Sequence, residues 1–352
     1  MSPFAASCPL PITTSDTIRL GHGSGGKLSA DLMERVFLPR LAGDVLRQLE
    51  DSATVAPSGG GGPISITTDA FVVSPRFFPG GDLGSLAVHG TVNDLAMSGS
   101  RARWLATSFI LEEGLPVAEL ERLVESMGRA ARDAGVEIVA GDTKVVNRGA
   151  GDGCYITTTG VGEPFRRGLR PSVAAARPGD RVIVAGPIGL HGIAILSCRE
   201  GLTFEADLES DSAALHHLVG ELIEAVGPAL HTLRDPTRGG IASALDEIAH
   251  ASGVGILLEE DRVPVPPAVH AACEMLGLDP FYVANEGKLV AIVAPEAAEA
   301  ALAALRAHPL GSEAAPIGEV TEGDRGFVLA RTRTGGRRVV QKLPGEQLPR
   351  IC

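Results

Sequence analysis

The sequence contains few cysteines, and they are not arranged in pairs. They stand far apart, at positions 8, 154, 198, 273 and 352, with no Cys-x-x-Cys pair. An odd and scattered set argues against a disulfide framework and against a tetrahedral zinc site. A prenylation signal is excluded as well, because it needs a cysteine fourth from the end and Cys352 is the last residue.

Excess positive charge and long apolar runs are also lacking. The 31 Lys and Arg residues against 43 Asp and Glu leave a formal charge of −12, which argues against a nucleic-acid or anionic-membrane surface. The most apolar long window, 289–310, contains Pro295, Glu296 and Glu299, which excludes an ordinary membrane span. Because no basic segment followed by an apolar stretch opens the sequence, we expect a cytoplasmic protein.

Glycine is the residue that the chain has in excess, with 44 in 352 positions. Close approach of the backbone to a ligand is one cause of such an excess. The length favours two domains, and strands mix with helices without strict β-α-β alternation, which predicts an α+β fold class. The predicted units are an N-terminal arm (1–18), a first domain (19–165), a second domain (175–342) and a mobile tail (343–352).

Hydrophobic periodicity predicts the elements of both domains. In the first domain we expect helical spacing over 31–49, strands over 64–73, 102–112, 136–140 and 154–161, and helices over 83–97 and from 117. In the second domain we expect strands over 181–185, 254–258, 289–293, 326–330 and 337–341, and helices over 189–200, 215–226, 239–251 and 296–308.

A glycine-rich segment near the start is a candidate phosphate site. Gly21-His22-Gly23-Ser24-Gly25-Gly26-Lys27 could direct successive backbone N–H groups, with the Lys27 charge, at phosphate oxygens. It is not a true P-loop, because Leu28 stands where the Mg²⁺-binding Ser or Thr belongs. A flexible flap over a triphosphate and a plain mobile loop both fit this pattern.

Three aspartates stand where the predicted elements change: Asp69, Asp94 and Asp142. Carboxylates brought together from several strands suit Mg²⁺, a hard ion that takes oxygen ligands and contacts substrate phosphates. Capping or turn chemistry is the alternative, and Asp142, after a glycine at a predicted strand end, is typical of a turn. Asp94 lies within an otherwise apolar helix, where an unpaired buried carboxylate would be costly.

The second domain has two further polar segments. Asp235-Pro236-Thr237-Arg238-Gly239-Gly240 opens a predicted helix and could contact an anion, although a helix cap with nothing bound also fits. Asn285-Glu286-Gly287-Lys288 precedes a predicted strand, so that Glu286 could act as a base or could simply be exposed.

The last residue is itself a candidate reactive group. Cys352 follows Leu348-Pro349-Arg350-Ile351, on a chain end that is expected to be mobile unless it is docked. A cysteine so placed could carry a group from one site to another, since its thiolate is the reactive form. A cysteine in this position without function is the alternative.

Taken together, these segments resemble one family closely. It is the hydrogenase maturation factor family HypE, within the aminoimidazole ribonucleotide synthetase (PurM-like) superfamily. The matching pieces run in family order from about residue 20, and they are His22–Gly26, Phe77–Gly81, Asn93-Asp94, Phe109–Pro116, Gly141–Val146, Thr237–Gly240, Ala284–Val290 and Pro349–Cys352. The ending Pro-Arg-Ile-Cys distinguishes HypE from its relatives.

The resemblance implies both an activity and partners. The terminal cysteine would receive a carbamoyl group from HypF, and ATP-dependent dehydration would convert the S-carboxamide on Cys352 into an S-thiocyanate. The cyanide would pass to iron held by HypC and HypD during assembly of [NiFe]-hydrogenase. The fold implied is the two-domain PurM-like fold, in which the N-terminal sheets of two subunits form a barrel across a homodimer.

Residue roles follow from the resemblance by position. Asp69, Asp94 and Asp142 would bind Mg²⁺ and the triphosphate, with Asn93 and Thr143 close by. Gly23, Ser24, Gly25, Gly26 and Lys27 would close over the phosphates, and Asp235, Thr237 and Arg238 would add contacts from the second domain. Lys144 and Glu286 would stabilise the carboxamide oxygen and take its N–H proton, in an order that the sequence leaves open.

Two other functions remain as alternatives. One is a different ATP-dependent enzyme of the superfamily, such as selenophosphate synthetase or thiamine-phosphate kinase. The former carries a reactive Cys or selenocysteine next to Lys, whereas Cys8 here is followed by Pro9. The other is a non-catalytic adaptor whose tail only docks partners, which a degenerate ATP site would favour. All three aspartates and Lys144 are present, which favours the enzyme.

Overall fold

The computed structural model describes residues 17–41, 43–57, 62–202, 208–345, 348 and 350–352. Most of the predicted N-terminal arm, with Cys8, lies outside the described residues. Among the described residues, none of the helices has both the length and the apolar character that a membrane span requires.

Nine α-helices and fourteen strands form the described part of the chain. The helices are α1 (Lys27–Leu32), α2 (Leu38–Leu41), α3 (Leu83–Met97), α4 (Val117–Asp133), α5 (Leu190–Glu200), α6 (His216–Val226), α7 (Gly240–Ser252), α8 (Pro267–Leu276) and α9 (Ala298–Ala307). The strands are β1 (Ala53–Val55), β2 (Ile64–Phe71), β3 (Phe77–Phe78), β4 (Gly81–Asp82), β5 (Ser100–Glu112), β6 (Glu137–Val146), β7 (Cys154–Pro164), β8 (Arg181–Val184), β9 (Leu230–Arg234), β10 (Gly255–Glu259), β11 (Val290–Val293), β12 (Ala315–Thr321), β13 (Val328–Arg331) and β14 (Arg337–Val340).

The first sheet has the strand order β1-β2-β7-β5-β6, in which only β5 and β6 run parallel. Buried and partly exposed residues alternate along β7, as expected when one face of a sheet is covered. The buried face meets α3, and Leu86 and Leu95 of that helix share a core with Leu105 and Ile156. The edge strand β6 is exposed along nearly its whole length.

The second sheet has the order β14-β13-β10-β12-β8-β11-β9 and is covered on both faces. Along β11, Val290 and Ile292 pack with α7, whereas Ala291 and Val293 pack with α6 and α9. Coverage on both sides explains why β11 is apolar at every position and does not alternate. A third set of contacts, between the end of α3 and α6, joins the two sheets.

Most of the predicted elements are confirmed, with two corrections. The helix over 83–97 has the predicted bounds. The region 31–49 is broken into α1, a π-helical turn (Met33–Phe37) and α2, because Pro39 has no N–H for the Arg35 carbonyl and the Arg40 guanidinium bonds it instead, at 3.1 Å. The predicted strand 136–140 continues to Val146, so Asp142 lies within a strand and not in a turn.

The sequence interpretation also omitted β9, α8 and β12, besides the short strands β1, β3 and β4. Helix α8 begins at Pro267 after Pro266, and two prolines in a row suggest a loop although proline is accepted in the first turn of a helix. Strand β12 carries Pro316 and Gly318, where its register against β8 shifts. Strand β9, helix α8 and strand β12 each depend on neighbours that are distant in sequence.

The packing of α3 on α4 makes a prediction about Gly84. A Cβ at this position would lie 2.1 Å from the Leu123 carbonyl oxygen, whereas a Cβ at Gly128 of α4 would meet nothing closer than the Arg132 guanidinium at 3.4 Å. We expect Gly84→Ala to lower the free energy of unfolding by about 1–3 kcal/mol. The control Gly128→Ala should be neutral or stabilise by up to about 1 kcal/mol. Urea titration measures both, and equal effects would contradict this account of the packing.

Candidate functional site: an acidic cleft between the two sheets

Three carboxylates from different parts of the chain meet between the sheets. Asp51 precedes β1, Asp94 lies on α3, and Asp235 follows β9. One oxygen from each lies within 4.8 Å of the others. We call Asp51, Asp94 and Asp235 the acidic cluster. In the part of the chain that the structure describes, no other group of three acidic, His or Cys side chains is this close.

Threonines on β2 and α3 hold carboxylates of the facing element by hydrogen bonds. Thr67 Oγ1 donates a hydrogen bond to Asp94 Oδ2 at 2.8 Å and lies 3.0 Å from the Asp51 carbonyl oxygen. Asp69 is two residues further along the strand and therefore on the same face. Its carboxylate accepts a hydrogen bond from Thr91 Oγ1 at 3.0 Å. The threonines thus fix the direction of the carboxylates on both β2 and α3.

One arginine partly compensates the negative charge. The Arg234 guanidinium lies 2.5 Å from Asp51 and 2.5 Å from Glu247, and Lys342 adds a second cation 2.6 Å from Glu247. Burial raises the pKa of Asp51 well above its usual value, although Arg234 opposes the shift. Burial, with the neighbouring carboxylates, raises the pKa of Asp94 in the same way. When these carboxylates are ionised, they therefore carry more negative charge than Arg234 and Lys342 offset.

The chemistry of these donors fits a hard divalent cation. All three groups are carboxylates that converge from separate elements, which is the oxygen-only donor set that Mg²⁺ and Ca²⁺ take. Burial raises the pKa of Asp235 to about 6, and a bound cation would favour the ionised form again. Asp235, which the sequence suggested as a contact to an anion, lies in the cluster and is suited to hold a cation.

Glu286 lies beside the cluster and is not exposed. Its side chain is 3% exposed, and its Oε1 has no hydrogen-bond partner among the described residues. Burial raises its pKa well above the usual value, and Asp235 and Asp211 raise it further. The backbone is fixed because the Glu286 N–H donates to Asp211 Oδ1 at 3.1 Å. Glu286 therefore keeps one buried carboxylate oxygen unsatisfied beside the acidic cluster, among the described residues.

The side chains of Asn93 and Asn285 form hydrogen bonds with backbone groups. Asn93 Nδ2 donates to the carbonyls of Ala213 and Glu286, at 3.0 and 3.2 Å, and its Oδ1 accepts from the Leu215 N–H at 2.8 Å. Asn93 therefore ties α3 to the second domain. This finding gives Asn93 a structural task that the sequence, which suggested a place near the phosphates, did not reveal.

The glycine-rich segment packs against the tail and Arg238. Arg238 Nη1 donates to the Gly23 carbonyl at 3.2 Å, and the Lys27 N–H donates to the Leu343 carbonyl at 3.0 Å. A Cβ at Gly26 would lie 2.6 Å from that same carbonyl oxygen, so a side chain would separate the two segments. Ser24 is buried, with its hydroxyl on the Gly21 carbonyl at 2.8 Å. Thr237 lies beside Arg238, where its carbonyl accepts from the Gly240 N–H.

The described part of the tail packs beside Arg238 and the glycine-rich segment, where Leu348 and Ile351 line a small cavity together with Gly26 and Arg238. The Cys352 carbonyl accepts a hydrogen bond from the Val72 N–H, at the end of β2, at 3.0 Å. The pKa of Arg238 is raised, and Cys352 is the largest cause, ahead of the smaller effects of Glu286, Asp69 and Asp94. Cys352 is thus close to the same guanidinium as the carboxylates. The mobility predicted for residues 343–352 stays a prediction, since this is one position of the tail.

Asp142, Thr143 and Lys144 are not brought to the cluster within one chain. They lie on the exposed edge strand β6, where Lys144 Nζ contacts Asp142 at 2.7 Å. Hydrogen bonds from Lys144 and the Thr143 N–H lower the pKa of Asp142. Of the predicted triad, Asp69 and Asp94 lie close together, since after burial Asp69 is the largest cause of the raised pKa of Asp94. Only Asp142 lies apart in this chain, and Asp51 and Asp235 join Asp94 from other elements.

Sequence reasoning missed Asp51 and Arg234. Asp51 is close to Asp94 because β1, a strand of three residues, pairs with β2, and so short an edge strand has no periodicity to detect. The sequence feature that could have indicated Asp51 was the acidic pair Glu50-Asp51 shortly before the β-branched residues Thr54 and Val55. Arg234 directly precedes Asp235 at the end of β9, a strand that the sequence interpretation omitted.

Comparison with known proteins identifies the family. The AIR synthase related protein models match residues 49–163 (N-terminal domain) and 177–331 (C-terminal domain). Carbamoyl dehydratase HypE of Cupriavidus necator is 57% identical over 96% of this chain and 95% of its own length. The enzyme of the same name from Escherichia coli is 44% identical over 96% of this chain and 100% of its own. The chain belongs to the carbamoyl dehydratase HypE family.

Solved structures of this family share the fold. A HypE in complex with ATP has a TM-score of 0.80 and 50% identity, covering 96% of this chain and 100% of that chain. A HypE from a HypE–HypF complex has a TM-score of 0.83 and 45% identity, covering 89% and 99%. The ThiL complex with AMPPCP and TMP, at 23% identity and a TM-score of 0.66, shows likeness of fold alone. The two-domain PurM-like fold is thereby confirmed.

The raised pKa of Asp235 makes a prediction about stability. A carboxylate with a pKa of about 6 in the folded state binds its proton more tightly there than after unfolding, so its ionisation destabilises the fold as pH rises from about 4 to about 7. We expect the free energy of unfolding of Asp235→Asn, minus that of the unaltered chain, to increase over this range by on the order of 2 kcal/mol without divalent cations.

The control for this experiment is Asp142→Asn. Its carboxylate is exposed and its pKa is lowered, so the corresponding difference should change in the opposite direction as pH rises. Urea titrations at several pH values measure both variants. A flat difference for Asp235→Asn would contradict the charge balance described for the acidic cluster.

Proposed function

We propose that this chain is an ATP-dependent carbamoyl dehydratase of [NiFe]-hydrogenase maturation and that Cys352 carries the reacting group. The observation that carries the proposal is the position of Cys352, whose carbonyl bonds Val72 at the end of β2. There Cys352 is the main influence on the pKa of Arg238, beside Glu286 and Asp69. A thiol brought to a cleft with carboxylates for a cation can act as the substrate of that cleft.

The partners follow from the family. One similar HypE is known in a complex with HypF, and we propose that HypF supplies the carbamoyl group to Cys352 of this chain. The cyanide formed would then pass to iron held by HypC and HypD. The reaction cycle would take place in the cytoplasm. It requires the thiol to meet two partners outside the cleft and to be dehydrated within it.

The chemistry removes water from an S-carboxamide. The carboxamide oxygen is a poor leaving group, so it first attacks the γ-phosphorus of ATP, and ADP departs. The nitrogen then loses its protons, the C–O bond breaks, and phosphate leaves with its electron pair. The product is the thiocyanate on Cys352. The protein contributes by holding the reacting atoms together and by neutralising the charge that develops.

ATP would lie between the acidic cluster and the glycine-rich segment. Asp51, Asp94 and Asp235 would hold Mg²⁺, with Asp69 beside them, and the cation would neutralise phosphate oxygens. The backbone N–H groups of the glycine-rich segment, the Lys27 charge and Arg238, with Thr237 beside it, would contact the phosphates. A similar HypE binds ATP, and the cation assignment rests on the donor set of the acidic cluster.

Glu286 and Lys144 would complete the chemistry. The buried Glu286 Oε1 lacks a partner among the described residues, and a raised pKa makes a carboxylate a stronger base. We therefore assign to Glu286 the removal of the N–H proton. Lys144 would neutralise the carboxamide oxygen, and it must come from elsewhere, because in one chain it lies on the exposed strand β6.

A homodimer would bring Lys144 to the cleft. Strand β6 is an exposed edge with apolar side chains, among them Val139 at 54% and Val145 at 68% exposure. Trp104 and Ile110 of the adjacent β5 are also exposed. A long apolar edge strand is ready to pair with another chain. Two copies joined through their first sheets would form a barrel and present Asp142, Thr143 and Lys144 to the neighbouring subunit.

Phosphate release tests the proposed activity. Protein carbamoylated on Cys352 should release about one phosphate per chain from ATP and Mg²⁺ in a single turnover, because phosphoryl transfer needs the carboxamide oxygen. Uncarbamoylated protein and Cys352→Ala should bind ATP and release no stoichiometric burst. Rapid-mixing phosphate detection measures this. An equal burst from Cys352→Ala would overturn the carrier role, and the absence of any burst would favour an adaptor.

Exchange of subunits tests whether Cys352 of one subunit and Lys144 of the other form one site. Lys144→Ala and Cys352→Ala should each be inactive alone. A mixed dimer would contain one cleft with an intact Cys352 and the partner's intact lysine, so exchange of subunits should restore about a quarter of the activity for a symmetric dimer. The control mixture is Glu286→Gln with Cys352→Ala, two groups of the same cleft, which should restore none. If the mixture of Lys144→Ala and Cys352→Ala recovers no activity, Lys144 acts in the site of its own subunit or takes no part in the reaction.

A further inference from the structure

The backbone of the last three residues is held by side chains outside the acidic cluster. His191 Nε2 lies 2.6 Å from the Ile351 carbonyl oxygen, and Arg199 Nη2 donates to the Arg350 carbonyl at 2.7 Å. Both side chains come from α5. Because a carbonyl can only accept, the His191 proton must be on Nε2. Two consecutive peptide groups before Cys352 are therefore fixed from one helix.

Each of these side chains is itself positioned. His191 Nδ1 lies 2.7 Å from Ser210 Oγ, which can donate to it when the ring is neutral. Burial lowers the pKa of His191, in agreement with a neutral ring. Arg199 also donates to the Ser74 carbonyl, at 2.9 Å from Nε and 2.7 Å from Nη2, and the Ser74 N–H donates to the Arg350 carbonyl at 3.1 Å. Arg199 thus joins the segment after β2 to the tail.

Apolar contacts and one ion pair complete the attachment. Ile351 and Leu348 are 5% and 9% exposed and belong to the core that contains α3. The absence of a side chain at Gly192 leaves space for Leu348, whose Cδ1 would lie 3.2 Å from a Cβ there. The Arg350 side chain pairs with Asp152. The attachment therefore uses both domains.

These contacts do not act on the reacting atoms. They involve backbone carbonyls, apolar side chains and one ion pair of the Arg350 side chain. Their individual contributions are small enough for the tail to detach, since a typical hydrogen bond or exposed ion pair has a small net effect. We propose that His191 and Arg199 are positioning residues which hold residues 350–352 against the end of β2, where the Cys352 carbonyl bonds the Val72 N–H, and which set the ratio of docked to released tail. We call His191, Arg199 and Ser210 the tail clamp.

The inference rests on the proposed function, because only a carrier must both enter and leave the cleft. A weaker tail clamp should slow dehydration of a preloaded Cys352 and leave carbamoylation by HypF as fast or faster. A defect that merely disturbed the fold would slow both half-reactions. The ratio of the two rates therefore reports on positioning.

Alkylation of cysteine tests the tail clamp without ATP or any partner. The chain carries its own references, since Cys198 is exposed while Cys154 and Cys273 are buried. Burial raises the pKa of both buried thiols to about 11, so they should react slowly while the fold is intact. Iodoacetamide labelling followed by peptide mass analysis gives the rate at each cysteine separately.

We expect Arg199→Ala to raise the alkylation rate of Cys352 by about tenfold and His191→Leu by about fivefold, from the loss of buried hydrogen bonds. His191→Gln keeps an N–H donor and should give a smaller rise. Cys198 serves as the reference for the His191 variants only. It is the neighbour of position 199, so Arg199→Ala can change its alkylation rate directly. Arg122→Ala is the matched control, because this arginine lies over the Phe77 ring, 4.0 Å from its centroid, and should leave the rate unchanged.

The deciding variant is Arg199→Ala, since Arg199 is only partly buried and its loss leaves no closed cavity. If Cys352 reacts no faster in this variant than in the unaltered chain, the tail clamp is overturned. If it reacts faster while Cys154 and Cys273 stay slow, the tail clamp is supported. Because the alkylation measurement uses no ATP, it can overturn the tail clamp without affecting the proposed dehydratase activity. Loss of the dehydratase proposal would likewise leave the alkylation result unchanged.

Discussion

The constraint on which the site depends is the burial of like charges. Asp51, Asp94 and Asp235 approach within 4.8 Å, and Arg234 compensates only part of their charge. Such a cluster is costly in an empty protein, and it is held together by the packing of α3 between the two sheets and by Asn93, which ties that helix to the second domain. The two-domain fold therefore keeps a place whose charge favours a cation, and with it a nucleotide.

The tail ends near the acidic cluster, in a position that suits a substrate of this site. Its end follows β2, where the Val72 N–H meets the Cys352 carbonyl three residues after Asp69. The contacts that hold it are with carbonyl groups, apolar side chains and the Arg350 side chain, so none of them involves the thiol itself. This separation suits a carrier, because one set of residues positions the cargo and another set acts on it. The same division explains why α5, with no chemical group for the reaction, lies against the tail.

Long periodic elements and the family motifs could be predicted from the sequence, since both depend on local residue order. Helix α3 has the predicted bounds, and it carries Asp94 into the acidic cluster. The predictions failed where distant segments decide. Asp51 reaches the cluster only through a three-residue edge strand, Asn93 bonds a backbone 120 residues away at Ala213, and β6 continues past Gly141 because it pairs in parallel with β5. Under the proposed function, Lys144, which is exposed in one chain, would reach the site only from a second copy, and a single sequence does not show such an arrangement.

The central claim is that Cys352 is the substrate of its own cleft, and the intact mass of the protein tests it most directly. After incubation with HypF, carbamoyl phosphate and ATP, the account predicts a gain equal to one carbamoyl group on the peptide that contains Cys352. A loss of one water from that same peptide should follow once ATP and Mg²⁺ act. A carbamoyl group found on Cys154, Cys198 or Cys273, or a modified Cys352 that never loses water, would contradict the account.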